Sequence, residues 1–167
     1  MTPAPLTLIT AFLRDEVGIT MLEKALPDDT FLPGVEIRGV AIVFDPLKLK
    51  NCGDLLHEAG HLALLAEAVR LEHGANGLPI PTAMMDDVEL GALAWSYAAT
   101  VHLRLPPEIV FHADGYHGRS EGLLMGFSVG IYPGLMQLES AGMAFGAQAA
   151  VAKQLPAFPA MLRWLRA

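Results

Sequence analysis

The chain has 167 residues, of which 53% are hydrophobic and 17% are charged. This length suits one domain, and this composition is too apolar for an intrinsically disordered chain. The formal net charge is −7 with only 11 lysines and arginines, which argues against direct binding to nucleic acid. The single cysteine excludes an intrachain disulfide and fits a reducing compartment. We predict neither a signal peptide nor a membrane span, and we therefore expect a cytoplasmic protein.

Hydrophobic periodicity and helix-breaking residues predict a series of helices around one short β region. The predicted helices, in chain order, cover residues 6–26, 52–72, 83–103, 121–127, 132–141, 145–155 and 160–165. β-branched and apolar residues at 35–38 and 40–44, separated by Gly39, predict a small strand pair. Asn51 is the predicted N-cap of the second helix. We therefore expect an α+β fold, a mostly helical single domain with the strand pair beside that second helix.

The most informative motif is His57-Glu58-Ala59-Gly60-His61, which lies in the second predicted helix. Residues four apart lie on the same face of a helix, so the imidazoles of His57 and His61 can bind one zinc ion. Glu58 lies about 100° around the helix and can reach a water molecule on that ion, as the general base of a hydrolysis. The flanking residues are apolar, and Gly60 leaves room beside the metal. Two surface histidines on an ordinary helix are the alternative interpretation.

A catalytic zinc site needs a third protein ligand and an open fourth position. Glu67 occupies the third-histidine position of one extended form of the motif, but it points away from the histidines if the helix continues. Glu89, 28 residues beyond His61, lies early in the next predicted helix and is our candidate. Asp86 and Asp87 compete with it, although aspartates at a helix start also serve as caps.

These residues resemble those of the ImmA/IrrE-type metallopeptidases, a minigluzincin-like family of His-Glu-x-x-His zinc enzymes that includes repressor-cleaving proteases and a bacterial stress regulator. The family combines a His-Glu-x-Gly-His helix with a second helix that begins with a glutamate ligand. The matching segments here are residues 57–61, 89–98, 103–108 and 127–130, with residues 137–138 and 141–143 at the expected spacing. The chain departs from the family pattern at Trp95, Gly130, Pro133 and Gln137. The resemblance implies zinc ligands at His57, His61 and Glu89, with Glu58 catalytic.

We therefore predict a zinc-dependent peptidase that hydrolyses a peptide bond of a protein or peptide substrate. Glu58 would be the general base, and a zinc-bound water would be the nucleophile. The resemblance implies a repressor or other regulatory protein as substrate. The main alternative is a zinc-stabilised regulatory or binding module with little turnover, and a weaker one is a hydrolase of a small amide. The sequence leaves the oligomeric state open.

The loop after the third predicted helix contains further candidates. Zinc peptidases use a tyrosine, histidine or arginine to stabilise the oxyanion, and Tyr116 and His117 are the candidates here, with Arg119 nearby. A polar, solvated loop is the competing interpretation, and His112 is a weaker candidate. In peptidases of this shape an exposed strand edge binds the substrate in extended form, and residues 35–44 would supply that edge.

Overall fold

The computed structural model describes residues 4–167 of the chain. In this part the α-helices are α1 Pro5–Ala11, α2 Asp54–Leu64, α3 Glu67–Asn76, α4 Thr82–Asp87, α5 Glu89–Leu103, α6 Ser120–Ser128, α7 Leu135–Ser140 and α8 Ala147–Lys153. The strands are β1 Thr20–Glu23, β2 Val35–Arg38 and β3 Ala41–Phe44. Shorter helical segments are π-helical at Phe12–Val17 and 3-10 at Pro107–Ile109 and Tyr116–Gly118. The predicted α+β fold, mostly helical with a small sheet, is therefore confirmed.

The sheet has three strands in the order β1-β3-β2, so β3 lies in the centre and β1 and β2 form its edges. β2 and β3 are the predicted pair, and they are antiparallel across a turn at Gly39, whose φ of +59° suits glycine. β1 joins the other side of β3 in parallel. α2 packs against β2 and β3. The strand pair beside the motif helix is thus confirmed, but residues 35–44 supply the sheet centre as well as one edge.

The first predicted helix, residues 6–26, is wrong beyond Val17. Helical structure ends there because Gly18 adopts a left-handed conformation with φ of +84°, which glycine permits at a helix end. The chain then continues as β1, in which Thr20 pairs with Ala41. That pairing joins residues distant in sequence, and local apolar periodicity carries no information about it.

The second predicted helix consists of two helices. Leu65 and Ala66 adopt extended backbone conformations between α2 and α3, with ψ of 141° and 147°. Contacts from elsewhere stabilise this break: the Arg70 guanidinium donates to the Leu65 carbonyl, and the Arg166 amide donates to the Ala63 carbonyl at 2.9 Å. Because neither glycine nor proline marks the break, the sequence pattern did not predict it.

The third predicted helix, residues 83–103, is also interrupted. Val88, with φ of −103° and ψ of 2°, ends α4 and precedes α5. The N-cap of α2, the helix that carries the motif, is Gly53, so the prediction of Asn51 at that position is wrong. The helices predicted over 121–127, 132–141 and 145–155 are present as α6, α7 and α8 with shifted bounds.

The C-terminal segment closes the core without the helix predicted at 160–165. The structure has only turns and bends there. The Trp95 indole, fully buried in α5, donates a hydrogen bond to the Trp164 carbonyl at 3.0 Å. This bond ties the end of the chain to the centre of the core. Over residues 4–167, no helix is long and apolar enough to cross a membrane.

α2 and α5 pack directly against each other and form the centre of the domain. Gly60 permits this approach, because a Cβ at that position would lie 3.0 Å from the Ala92 Cα and carbonyl oxygen on α5. The structure thus assigns Gly60 to helix packing, where the sequence suggested room beside a metal. The close contact brings the motif on α2 next to the first turn of α5.

Candidate metal centre

α2 positions the two motif histidines on one face, as their spacing predicted. His57 and His61 are one helical turn apart, and their Nε2 atoms lie 3.1 Å from each other. Their rings meet edge to face, with centroids 4.7 Å apart. Both side chains are almost fully buried. This arrangement excludes the interpretation of two surface histidines on an ordinary helix.

Glu89, the first residue of α5, brings a carboxylate to the same point. Its Oε2 lies 3.0 Å from His61 Nε2 and 3.6 Å from His57 Nε2. Two ligand atoms bound to one tetrahedral zinc at about 2.0–2.1 Å lie roughly 3.3 Å apart, and these three separations bracket that value. The Glu89 side chain is 45% exposed, so the group opens to solvent on one side. His57, His61 and Glu89 could therefore hold a metal ion.

The competing acids do not join this group. Among residues 4–167 no other three histidine, cysteine, aspartate or glutamate side chains converge in this way. Glu67 begins α3 after the break, Asp86 and Asp87 end α4, and none of them contributes a donor atom to the cluster. The structure thus brings together the three residues that the sequence proposed as ligands, and it leaves out the three alternatives.

The electrostatics of the cluster follow from its burial and its hydrogen bonds. Hydrogen bonds with His57 and His61 hold the pKa of Glu89 far below its usual range. Burial lowers the pKa of His61, but its hydrogen bond with Glu89 and the charge of Glu58 outweigh that effect and raise the pKa overall. His61 Nδ1 lies 3.1 Å from the Met85 carbonyl oxygen. A proton on Nδ1 satisfies that carbonyl and leaves Nε2 free to bind a metal.

Glu58 lies beside the donor group and is not part of it. Burial raises the pKa of its carboxyl, and the negative charges of Asp54 and Glu89 act in the same direction. The two histidines oppose the shift. A partly buried carboxyl with a raised pKa, next to a group of side chains that could hold a metal ion, has the properties of a proton acceptor and donor.

Of the loop candidates, only Tyr116 contacts the cluster. Its ring meets the His57 ring edge to face, with centroids 5.5 Å apart. Burial, and then the charges of Asp54, Glu89 and Glu58, raise the pKa of Tyr116 far above its ordinary value, so the hydroxyl stays protonated.

The other loop residues lie away from the cluster. His117 and Arg119 are exposed, and His117 has a left-handed backbone with φ of +53°. The Arg119 guanidinium donates to the Tyr116 carbonyl at 3.4 Å. The structure therefore favours Tyr116 over His117 as the oxyanion candidate.

An interaction that the sequence analysis missed lies directly behind His57. Asp54, the first residue of α2, is 4% exposed, and its Oδ1 lies 2.9 Å from His112 Nε2. The Ser120 hydroxyl donates to the His112 carbonyl at 2.6 Å and thereby holds the loop that carries Tyr116. A sequence signal for Asp54 did exist, since it and Glu58 are the only acids of this helix and it lies three residues before His57.

We compared the chain with protein-family models, with curated proteins and with solved structures, and none of the three comparisons found a match. The resemblance to the ImmA/IrrE-type metallopeptidases therefore stays a prediction from the motifs.

Proposed function

We propose that the protein is a zinc-dependent peptidase acting on a protein or peptide substrate. His57, His61 and Glu89 would be the zinc ligands, and Glu58 would be the general base. The observation that carries this proposal is the convergence of three donor atoms within 4.8 Å of one another, with the carboxyl of Glu58 beside them. Two nitrogens and one carboxylate oxygen are the ligand set of many catalytic zinc sites.

The number of donors favours an enzyme over a zinc-stabilised module. Structural zinc sites are closed by four protein ligands, whereas catalytic sites use three and keep one position open. Residues 4–167 supply three converging donors here, and the Glu89 side of the group is open to solvent. Glu58 is not needed to hold the metal, but hydrolysis requires a base in its position.

The chain's own residues supply the proton transfers of peptide hydrolysis. Zinc, when bound, supplies Lewis acidity toward water and the substrate carbonyl. Glu58 accepts the proton that a water molecule loses as its oxygen bonds to the carbonyl carbon. The same carboxyl then delivers this proton to the amide nitrogen as the carbon–nitrogen bond breaks. Because Tyr116 keeps its own proton, its hydroxyl can donate to the oxygen on which negative charge develops.

The small sheet offers a place for an extended substrate. β2 is an edge strand that packs against α2, whereas β3 is central and has both partners already. A substrate strand that pairs with the free edge of β2 would run beside the helix that carries His57 and His61. The family resemblance supports a regulatory protein, such as a repressor, as that substrate. The single cysteine and the few basic residues support a cytoplasmic enzyme without direct nucleic-acid contacts.

The ligand assignment is tested by metal analysis of the purified protein. We expect one zinc per chain in the wild type and loss of zinc in His57→Ala and in Glu89→Ala, because each removes a donor of the cluster. Glu67→Ala is the matched control, an acid close in sequence but outside the cluster, and it should retain zinc. Full zinc retention by Glu89→Ala would exclude Glu89 as a ligand.

The catalytic assignment is tested by Glu58→Gln in the zinc-loaded protein. The probe is a peptide library digested from a whole proteome, with cleavage products identified by mass spectrometry. We expect the variant to retain zinc and to lose about 10²–10⁴-fold in cleavage rate, because the amide cannot accept a proton. If wild type and Glu58→Gln both hold zinc and neither differs in cleavage, the peptidase proposal is wrong and the zinc-stabilised module replaces it.

A further inference from the structure

Three buried side-chain atoms in residues 4–167 have no hydrogen-bond partner, and all three belong to the neighbourhood of His57. They are Asp54 Oδ2, His57 Nδ1 and His112 Nδ1. Buried polar atoms without partners are rare, because each one forfeits the hydrogen bonds it makes with water in the unfolded chain. Their occurrence next to the candidate metal centre indicates a shared role.

Asp54 is a buried carboxylate that the Glu58 mechanism does not use. It is 4% exposed, and one of its oxygens accepts from His112 Nε2 at 2.9 Å. The other oxygen is free. Asp54 is three residues before His57, so the two side chains lie on the same side of α2. A carboxylate is costly to bury, and a further hydrogen-bond donor at the free oxygen would offset part of that cost.

The two histidines of the cluster differ in the hydrogen-bond partner of their Nδ1 atoms. His61 has the Met85 carbonyl oxygen 3.1 Å from its Nδ1, whereas the Nδ1 of His57 is buried and without a partner. Metal-binding histidines almost always donate their second N–H to a carboxylate, a carbonyl or a water, which fixes the tautomer and the ring orientation. The free oxygen of Asp54 is an acceptor of the matching type on the same side of the helix.

We infer that Asp54 is a positioning residue of the metal centre: the Nδ1–H of His57 donates a hydrogen bond to one bridging water, this water donates to the free oxygen of Asp54, and His112 Nε2–H donates to the other oxygen. The chain His112–Asp54–His57 then keeps His57 in the tautomer whose Nε2 is free for the metal. This inference rests on the proposed metal site and not on peptidase activity. This series of hydrogen bonds also links the metal centre to the loop that contains Tyr116, since His112 lies at the start of that loop.

The substitution Asp54→Asn tests the inference, because an asparagine keeps the shape and loses the charge. With its NH2 group in place of the free oxygen, the amide donates to the bridging water, which then donates to His57 Nδ1 and favours the tautomer with the proton on Nε2, where the metal should bind. Zinc affinity is measured by competition with a chelating indicator. We expect Asp54→Asn to bind zinc about 10–100-fold more weakly than the wild type.

Asp45→Asn is the matched control. Asp45 is as buried as Asp54, at 5% exposed, but its carboxylate accepts from the backbone amides of Leu26 and Leu47. The control should lose stability and keep the wild-type zinc affinity. If Asp45→Asn weakens zinc binding as much as Asp54→Asn does, the effect is general destabilisation and the inference is wrong.

If Asp54→Asn does not fold, the wild type and His112→Leu carry the test. In the zinc-loaded proteins, long-range proton–nitrogen NMR of the histidine rings should find that the Nδ1 proton of His57 exchanges with solvent more slowly in the wild type than in His112→Leu. Equal exchange rates would overturn the inference. His112→Gln, which keeps an N–H donor for Asp54, should preserve zinc affinity within about twofold, whereas His112→Leu should weaken it.

The outcomes separate this inference from the metal site on which it rests. A wild type that binds no zinc removes both proposals. If Asp54→Asn binds zinc as tightly as the wild type does, the metal site stands and only the proposed role of Asp54 is wrong. Loss of peptide cleavage in Glu58→Gln bears on neither result.

Discussion

Helices α2 and α3 follow each other with only Leu65 and Ala66 between them, yet they differ strongly in how far they are buried in the core. Nine of the eleven residues of α2 are buried, whereas α3 has no buried residue. α2 is therefore fixed by packing along most of its length, and α3 by a few contacts near its start, where the Arg70 guanidinium donates to the carbonyls of Leu65 and Arg166. Hydrophobic periodicity in the sequence predicted one continuous helix over both.

The difference explains why the candidate ligands lie on α2. Ligand atoms must be held within about half an ångström of their productive positions, which requires side chains locked by packing. His57 and His61 lie on the well-packed helix, and Glu89 lies on α5, which packs directly against it. Glu67, on α3, has no such support. The break after α2 thus separates the well-packed helix that carries two candidate ligands from a surface helix.

The largest expected effect comes from matched leucine truncations in the two helices. Leu56→Ala in α2 removes a fully buried side chain, and we expect it to lower the free energy of unfolding by about 2–5 kcal/mol. Leu71 in α3 is 65% exposed, and Leu71→Ala should change it by less than about 0.5 kcal/mol. Urea unfolding of the metal-free proteins measures both. Equal losses would contradict the contrast between the helices.

Zinc binding should increase the difference in stability between α2 and α3, by a free energy slightly smaller than the loss in Leu56→Ala. At a free zinc concentration 100 times the Kd, the folded state gains about 2.7 kcal/mol, because the metal binds only that state. Hydrogen exchange measured with and without zinc should show slower exchange in α2 and in the first turn of α5. The amides of α3 should change little, because they can open without releasing the metal. A chelator should reverse the effect, and uniform protection of α3 would disprove separate opening.

The smallest expected effect concerns the attachment of α3. Arg70→Met keeps much of the side-chain volume and removes the donors to the Leu65 and Arg166 carbonyls. We expect a loss of about 1 kcal/mol, with faster hydrogen exchange confined to α3 and the end of the chain. Arg163→Met is the control, since Arg163 is exposed. Faster exchange in α2 would indicate that α3 supports the metal centre after all.

Much of the fold was predictable where local rules decide it. β2 and β3 follow from short runs of β-branched residues around Gly39, and the existence of α6 and α8, though not their exact bounds, from ordinary helix signals. The failures are non-local. β1 depends on pairing with β3, in which Thr20 lies opposite Ala41. The break after Leu64 is held by hydrogen bonds that Arg70 and Arg166 donate to the carbonyls of Leu65 and Ala63.

The candidate site also has a part that local sequence determines and a part that tertiary packing determines. The sequence alone determined that His57 and His61 share one face with Glu58 beside them, because residues within one helical turn have fixed relative positions. Only the tertiary structure decided that Glu89 joins them and that Asp86, Asp87 and Glu67 do not. That choice depends on how α5 packs on α2. The pairing of Asp54 with His112, 58 residues apart, was likewise decided by the path of the whole chain, which no local pattern encodes.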